Sequence, residues 1–208
     1  MEMAKNLKDF RVEKIGYFDI ETKYLFQDHE PNWDSLPGWK RKELRDKIAL
    51  KLEIAVCGIL IGDKPTLYED DKVTSLEKDL LSLDKIIGHN LVGFDYPVLL
   101  RYFKKETVQS LQKKTFDILI DLDQRTGSWA KLDELAKLNL GMEKTVDPLK
   151  IPKMWRDGQR KEVKDYLKND LRLTKNIHEY GKKNGKLKYF DKNYGTIIGE
   201  KIVEVDWK

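Results

Sequence analysis

Hydrophobic and polar positions along the chain predict a series of strands. Residues 12 to 21 alternate between apolar and polar side chains, as a strand with one buried face does. Residues 52 to 61 form a continuous apolar run, which is typical of a strand buried on both faces. A Gly-Asp turn follows and predicts a hairpin to the next strand. The other predicted strands cover residues 64 to 68, 85 to 88 and 115 to 122.

Helical spacing separates these strands. The capping-box pattern Thr74-Ser-Leu-Glu77 predicts the start of a helix that ends near Leu83. A helix over 96 to 111 tolerates Pro97 in its first turn. Further helices are predicted over residues 39 to 50, 131 to 139 and 159 to about 181, and Gly141 ends the second of them. Residues 23 to 38 and 142 to 158 contain prolines and are predicted to be loops.

Three leading strands followed by alternating helices and strands predict an α/β fold with a mixed β-sheet flanked by helices. The last part of the chain, residues 186 to 207, predicts a β-hairpin with its turn near Asn193-Tyr-Gly. We therefore expect one domain over residues 1 to 185 and a C-terminal β-hairpin extension over 186 to 208, packed on the same domain.

Composition and charge narrow the class of protein. The 208 residues are 40 % hydrophobic and 37 % charged, and no apolar run approaches the roughly 18 residues that span a membrane, so no membrane partner is expected. The first ten residues lack the apolar centre of a signal peptide. Cys57 is the only cysteine, which excludes an intrachain disulfide and predicts a buried core residue in an intracellular, cytoplasmic protein.

The net charge of +4 is unevenly distributed. Residues 141 to 190 contain 14 Lys or Arg and 7 Asp or Glu, a balance of 14 − 7 = +7, so the rest of the chain carries 4 − 7 = −3. This distribution is compatible with a polyanionic ligand and equally with an ordinary basic surface.

Two acids interrupt the apolar pattern of the first predicted strand, Tyr17-Phe-Asp-Ile-Glu-Thr22. Asp19 and Glu21 point to the same face because side chains alternate along a strand, and their Cα atoms lie roughly 7 Å apart. Phe18 and Ile20 face the core on the other side. Two like charges on one face repel each other, and a divalent cation would neutralise both. The alternative is an exposed edge strand with two solvated acids.

Two more acids come from distant elements. Asp95 lies directly before the helix predicted at residue 96, where it is either a further metal ligand or a simple N-cap. On the longest predicted helix, Asp170 lies in the middle of the apolar stripe and Tyr166 on its flank, one turn earlier. A lone Asp on a core face needs a partner. Four carboxylates and a phenol are suited to hold two divalent cations about 4 Å apart, the arrangement that attacks phosphodiesters.

Three sequence blocks carry a resemblance to a known family. They are Phe18-Asp-Ile-Glu-Thr22, Asn90-Leu-Val-Gly-Phe-Asp95 and Tyr166-Leu-Lys-Asn-Asp170. In this order they resemble the DEDD superfamily of 3′–5′ exonucleases, which have a ribonuclease-H-like fold. Tyrosine four residues before the last Asp is similar to the DEDDy branch. The first two blocks, with their flanking residues, are similar in sequence to the proofreading domain of family B DNA polymerases. They are also similar to stand-alone ribonuclease-H-like exonucleases of bacteria and phages.

The resemblance implies an activity and a site. Asp19, Glu21, Asp95 and Asp170 would hold two Mg²⁺ or Mn²⁺ ions, with Asp19 bridging them, and Tyr166 would orient the attacking water. The expected reaction is hydrolysis at the 3′ end of single-stranded nucleic acid by a two-metal-ion mechanism, with release of nucleoside 5′-monophosphates. DNA is slightly favoured over RNA. The chain leaves no room for a polymerase domain, so we expect a free nuclease or a subunit that partners a helicase or a polymerase.

The same resemblance suggests substrate contacts, which are Thr22, Leu25, Asn90 and Phe94, although Phe94 and Tyr96 are also ordinary packing residues. Asp117 either supports the site or is a solvated acid at a strand end. His89 and His178 are expected to be structural. Trp155 and Arg156, in the loop before the longest helix, either line a substrate groove together with Lys153 and Arg160 or belong to a plain surface loop.

Two other functions remain open from the sequence. One is a nucleic-acid-binding or helicase-accessory module with the exonuclease fold but little turnover. The other is an interaction protein whose acids merely solvate a cleft.

Overall fold

A mixed sheet of five strands forms the centre of the protein. The computed structural model describes residues 12–142, 146–193 and 195–208. The strands are β1 (Ile15–Thr22), β2 (Ile54–Ile61), β3 (Lys64–Tyr68), β4 (Lys85–Gly88) and β5 (Thr115–Asp117). Their order across the sheet is β3-β2-β1-β4-β5, in which β2 is antiparallel to β1 and β3, whereas β1, β4 and β5 are parallel. The predicted α/β architecture is confirmed and is consistent with a ribonuclease-H-like fold.

Helices flank both faces of the sheet, and a hairpin follows them. Within the described ranges the helices are α1 (Phe26–His29), α2 (Gly38–Ala49), α3 (Val73–Leu81), α4 (Tyr96–Leu99), α5 (Lys105–Gln112), α6 (Ile118–Thr126), α7 (Leu132–Leu140), α8 (Ile151–Arg156) and α9 (Arg160–Asn184). The C-terminal antiparallel pair is β6 (Lys186–Asn193) and β7 (Thr196–Glu204). None of the helices in the described part of the chain has the length and apolar composition needed to cross a membrane.

Each face of the sheet contacts its own hydrophobic core. Phe18 and Ile20 of β1 point into the core beneath α2, α3, α4 and α5, whereas Tyr17 points into the core formed with α6 to α9. Alternation along β1 therefore places Asp19 and Glu21 on the same face as Tyr17 and α9. Both faces of the sheet are covered, so β2, the neighbour of β1, is buried from Ile54 through Leu60.

Two predicted elements end earlier than the sequence pattern suggests. The helix predicted over 96 to 111 is divided into α4 and α5; between them the Tyr102 hydroxyl accepts a hydrogen bond from Ile54 N, 2.9 Å away. The strand predicted over 115 to 122 ends at Asp117. Its carboxylate accepts hydrogen bonds from Leu119 N and Ile120 N and so caps α6, which makes the following apolar residues helical.

Other local predictions also need correction. The capping box at Thr74 does not form, because α3 begins at Val73 and its N-cap, Lys72, makes no side-chain cap bond. Both predicted loops contain helices, α1 in the first and α8 in the second, since the apolar side chains of these segments pack against the cores. Residues 143–145 of the second loop and Tyr194, in the predicted turn of the hairpin, lie outside the described residues.

The hairpin packs on the core that contains α9. Leu187, Tyr189, Val205 and Trp207 are buried in this core. Gly181 of α9 makes the approach of Trp207 possible, because a Cβ atom at this position would overlap the indole ring.

Candidate metal centre

The first two acids of the site come from a central strand. β1 is the third of the five strands; it pairs with β2 along its length and with β4 over residues 15 to 17, so the exposed edge-strand alternative for Asp19 and Glu21 is wrong. Both side chains are half-buried. The register between β1 and β2 shifts between Glu21 and Thr22, which is a β-bulge directly beside the second acid. Bulges redirect side chains at the ends of strands, and they are common next to active sites.

The third acid, Asp170, comes from α9, which packs directly against the sheet at Gly58. Gly58 of β2 pairs with Asp19, and a Cβ atom on this glycine would lie 2.7 Å from Leu171 Cδ1 of α9. The absence of a side chain at Gly58 therefore lets the helix approach the strands. As a result, carboxylate oxygens of Asp19, Glu21 and Asp170 all lie within 4.8 Å of one another.

Tyr166 lies beside these acids on the buried face of α9, and it is 8 % exposed. Its side chain hydrogen-bonds to Asp170. Burial, followed by the negative charges of Asp170, Glu21 and Asp19, raises the pKa of the Tyr166 hydroxyl above its ordinary value. The phenol therefore stays protonated at neutral pH and carries a proton that it can donate.

Asp95 is the fourth acid and is 2 % exposed. Burial is the main cause that raises its pKa well above the ordinary value, and the charges of Asp19, Asp117 and Glu21 add to it. Among the described residues, Asp95 Oδ1 has no hydrogen-bond partner. The N-cap alternative is wrong, since the side chain makes no cap bond to α4.

These donors fit a divalent cation. All of them are carboxylate oxygens, which Mg²⁺ and Mn²⁺ prefer. The unpartnered, buried Asp95 oxygen is the observation that supports the fit, because a buried polar atom without a partner is costly. The triad of Asp19, Glu21 and Asp170 is thus suited to bind metal ions, and the charges of Asp19 and Glu21 act on Asp95.

A tight turn delivers Asp95 to the site. Asn90 has a left-handed backbone with φ of 67°, and residues Leu91–Asp95 form one turn of π-helix. The Asn90 side-chain oxygen lies 2.3 Å from where a Cβ atom of Gly93 would be, so a larger residue at 93 would have to displace the Asn90 side chain. Asn90 thus has a clear role in shaping the turn.

A pocket of about 320 Å³ opens beside Glu21. Thr22, Leu25 and Phe94, three of the four predicted substrate contacts, line it together; Asn90 does not. Thr22 is buried, and its hydroxyl donates a hydrogen bond to Tyr24 O, 2.8 Å away. The pocket walls are mainly apolar and aromatic, and their flat surfaces suit a planar ligand.

Sequence reasoning missed several walls of this pocket because they lie in segments predicted as loops. Phe26 stacks on Trp33, with ring centroids 4.4 Å apart and an angle of 16° between the planes. Pro148, Leu149 and Pro152 also line the pocket. The signal available in the sequence was the presence of large apolar side chains in otherwise polar, proline-containing segments.

The four basic and aromatic residues predicted at or near the start of the longest helix have different environments. Trp155 is 2 % exposed and belongs to the core, so its proposed place in a groove is wrong. Arg160 lies over the Trp155 ring, 3.8 Å from its centroid. Lys153 pairs with Asp157. Arg156 hydrogen-bonds to Lys23 O and pairs with Asp28, 3.3 Å away, and so connects α8 to the segment that leaves β1.

Asp117 and the histidines have mainly internal partners. Asp117 is 6 % exposed, so the solvated alternative is wrong; it accepts hydrogen bonds from Asn90 N and Val92 N in the turn that carries Asp95. His89 Nε2 pairs with Ala130 O at 2.8 Å, and His178 Nδ1 pairs with the Tyr17 hydroxyl at 3.1 Å, which agrees with structural roles. Two further residues expected in the core, Cys57 and Tyr96, are buried.

Comparison with known proteins supports the fold. Neither a protein-family model nor a curated protein matches the chain. The structure is similar to the family B DNA polymerase from the hyperthermophilic archaeon Pyrobaculum calidifontis, with a TM-score of 0.54 and 16 % sequence identity. The match covers 82 % of this chain and 24 % of the polymerase chain. At this identity the similarity establishes a shared fold, and the chain spans about a quarter of the polymerase.

Proposed function

We propose that the protein is a metal-dependent 3′–5′ exonuclease that acts on single-stranded nucleic acid and releases nucleoside 5′-monophosphates. One observation carries this proposal, namely the convergence of Asp19, Glu21 and Asp170 within 4.8 Å. The buried Asp95 and Tyr166 belong to the same electrostatic cluster. Four carboxylates beside a protonated phenol repel one another in the absence of a cation, and this set of donors suits phosphodiester hydrolysis.

Each residue of the site has its own expected role in the reaction. Asp19, Glu21, Asp95 and Asp170 would hold two Mg²⁺ or Mn²⁺ ions. Bound there, the ions would supply electrostatic stabilisation of the charge that develops on the phosphate and on the leaving 3′ oxygen. Tyr166 would orient the attacking water through its hydroxyl, which Asp170 in turn holds in place.

The pocket beside Glu21 supports an exonuclease rather than another nuclease. Because it adjoins one of the proposed metal ligands, a base held in it would place the last phosphodiester near the acids. The stacked Phe26 and Trp33 and the neighbouring Phe94 offer apolar, aromatic surface, which accepts the π-face of any base. We therefore expect little base preference at the terminal nucleotide.

Sequence and fold support the same class of protein. The sequence blocks resemble the proofreading domain of family B DNA polymerases, and the fold is similar to a family B DNA polymerase. This agreement is the reason for favouring single-stranded DNA slightly over RNA as the substrate.

Degradation of matched oligonucleotides tests the proposal. Single-stranded DNA, double-stranded DNA and RNA of one sequence, labelled at the 5′ end, are incubated with the protein and Mg²⁺ or Mn²⁺. We expect a ladder that shortens from the 3′ end, fastest for single-stranded DNA. Asp19→Asn should lower the rate by roughly 1,000-fold or more, because it removes an electrostatic contact made to the reacting groups. Asp123→Asn, an exposed acid on α6, is the matched control.

Two outcomes would contradict the exonuclease. Equal residual cleavage by the wild-type protein and Asp19→Asn would show that any nuclease activity comes from elsewhere. Tight binding of single-stranded DNA that EDTA leaves unchanged, without turnover, would instead support the nucleic-acid-binding or helicase-accessory module.

A further inference from the structure

The Asp117 carboxylate joins two segments of the chain that are distant in sequence. Its Oδ1 accepts a hydrogen bond from Asn90 N at 2.8 Å and another from Leu119 N at 3.1 Å. Its Oδ2 accepts one from Val92 N at 3.0 Å. With a side chain that is 6 % exposed, Asp117 makes these bonds away from water, where they are strong.

The position of Asp117 follows from the sheet. β5 is parallel to β4, and Asp117 pairs with Gly88, the last residue of β4. The carboxyl ends of two neighbouring parallel strands therefore meet here. The carboxylate consequently lies where the chain leaves β4 and begins the turn that ends at Asp95.

Asp95 depends on this turn for its placement. Its Oδ1 has no hydrogen-bond partner among the described residues, so the backbone has a large part in deciding where the carboxylate lies. The turn itself contains a left-handed Asn90 and a π-helical segment, both of which are uncommon conformations that need support from their surroundings.

We propose that Asp117 is a positioning residue of the metal centre, which holds the backbone from Asn90 to Val92 so that Asp95 is in place before a cation binds. The inference rests on the proposed function in so far as Asp95 is a metal ligand there. A displacement of about 1 Å is enough to impair a site of this kind, so the support of the turn matters as much as the ligand.

The chemistry requires a carboxylate at this position. Asn90 N and Val92 N bind different oxygens of Asp117. An asparagine has the same shape but only one oxygen, and its NH₂ group would face a backbone N–H donor. Asp117→Asn therefore removes one anchor of the turn with almost no change in volume.

Calorimetric titration with Mn²⁺ alone, together with steady-state kinetics on an oligonucleotide, tests the inference. For Asp117→Asn we expect the Kd for Mn²⁺ to rise about 10- to 100-fold, the range found for residues that support metal ligands. The kcat should fall while KM for the oligonucleotide stays unchanged, and excess Mn²⁺ should restore part of the rate.

Asp121→Asn is the matched control. Asp121 lies on α6, the helix that Asp117 caps, and accepts hydrogen bonds from Arg125 Nε and Trp207 Nε1, each 2.8 Å away. Its replacement should lower the thermal stability and leave the Kd for Mn²⁺ and the kcat at wild-type values. A wild-type Kd and kcat for Asp117→Asn would overturn the proposal.

Hydrogen exchange on the wild-type protein decides the matter even if Asp117→Asn does not fold. The backbone amides of Asn90 and Val92 should be protected in the metal-free protein, and exchange as fast as in an unstructured peptide would overturn the proposal. These experiments also separate a failure of the proposed exonuclease function from a failure of the proposed role of Asp117. A wild-type protein that binds Mn²⁺ but degrades no oligonucleotide would contradict the exonuclease, while the two Kd values still test Asp117.

Discussion

Tyr166 and Asp170, one turn apart on the buried face of α9, are joined by a side-chain hydrogen bond next to Asp19 and Glu21. The spacing of four residues stacks the two side chains on one side of the helix. Because burial and three negative charges raise the pKa of the Tyr166 hydroxyl, the proton stays on the phenol. The pair thus places a fixed hydroxyl at the edge of the acidic cluster.

Removal of this hydroxyl should slow catalysis without removing the metal site. For Tyr166→Phe we expect kcat to fall about 100- to 1,000-fold, the usual contribution of a side chain that positions or exchanges a proton. The Kd for Mn²⁺ should change little, since all four carboxylates remain. Steady-state kinetics and calorimetry on the same preparation measure the two quantities.

Tyr17→Phe is the matched control for that variant. Tyr17 lies on the same face of β1, and its buried hydroxyl hydrogen-bonds to His178 rather than to an acid of the cluster. The loss of this bond should lower the free energy of unfolding by about 1 kcal/mol and leave kcat unchanged. Equal losses of kcat in both variants would assign the effect of Tyr166→Phe to packing.

The buried charge of Asp95 should make the metal-free protein less stable than it would otherwise be. Its pKa is higher in the folded than in the unfolded state, so the folded state binds more protons and stability falls as pH rises through this range. Asp95→Asn replaces the carboxylate with a neutral amide and so removes the free-energy cost of burying this charge at neutral pH. We expect its Tm, without metal, to exceed the wild-type value by about 3 °C or more at pH 7.5.

Bound metal should make the Tm of the wild-type protein higher than that of Asp95→Asn. Saturating Mn²⁺ stabilises the wild-type protein through binding, and it should stabilise Asp95→Asn less because one ligand is lost. Thermal unfolding with EDTA and with Mn²⁺ measures both conditions. A lower Tm for Asp95→Asn than for the wild type in EDTA would show that the buried carboxylate stabilises the metal-free fold.

His178 should make the fold sensitive to mild acid. Burial, with the nearby charges of Lys85 and Lys182, lowers its pKa to about 4 from an ordinary value of 6.5. The unfolded state therefore binds the proton first as pH falls, and stability is lost between these two values. We expect the free energy of unfolding to drop by about 2 kcal/mol between pH 7.5 and pH 5 from this residue.

Denaturant titrations of His178→Gln at both pH values check this expectation. The variant keeps a polar side chain but cannot titrate, so its unfolding free energy should vary less with pH than that of the wild type. His29→Gln, a change on the exposed surface, is the control and should leave the wild-type pH dependence intact. An unchanged pH dependence in His178→Gln would show that other groups cause the acid sensitivity.

Gly181 offers a test of how the hairpin is attached. Gly→Ala inside a helix ordinarily stabilises a protein by about 1 kcal/mol. Here we expect Gly181→Ala to be destabilising, because the new Cβ would overlap the rigid Trp207 ring. Gly38→Ala, at the first position of α2, is the control and should be neutral or stabilising, because an added Cβ there would meet no atom of a residue packed against it. Equilibrium unfolding in urea compares them, and equal gains would contradict the packing described for Trp207.

Local patterns in the sequence determined most of the secondary structure and the acids of the site. The strands over residues 64 to 68 and 85 to 88 were predicted with their observed bounds, and the longest helix was predicted to within a few residues. Alternation along β1 and helical spacing along α9 predicted which way Asp19, Glu21, Tyr166 and Asp170 point. These predictions succeed because both periodicities are properties of the backbone itself.

Tertiary structure decided what local patterns do not encode. The apolar run after Asp117 has the composition of a strand, yet the Asp117 carboxylate caps it as a helix while also binding the turn before Asp95. The aromatic pocket beside Glu21 forms from segments that look like loops. The closeness of Asp170 to Asp19 depends on a glycine, Gly58, in a strand next to the motif. The sequence determined the chemistry and direction of these side chains; only the packing of distant segments determined their distances.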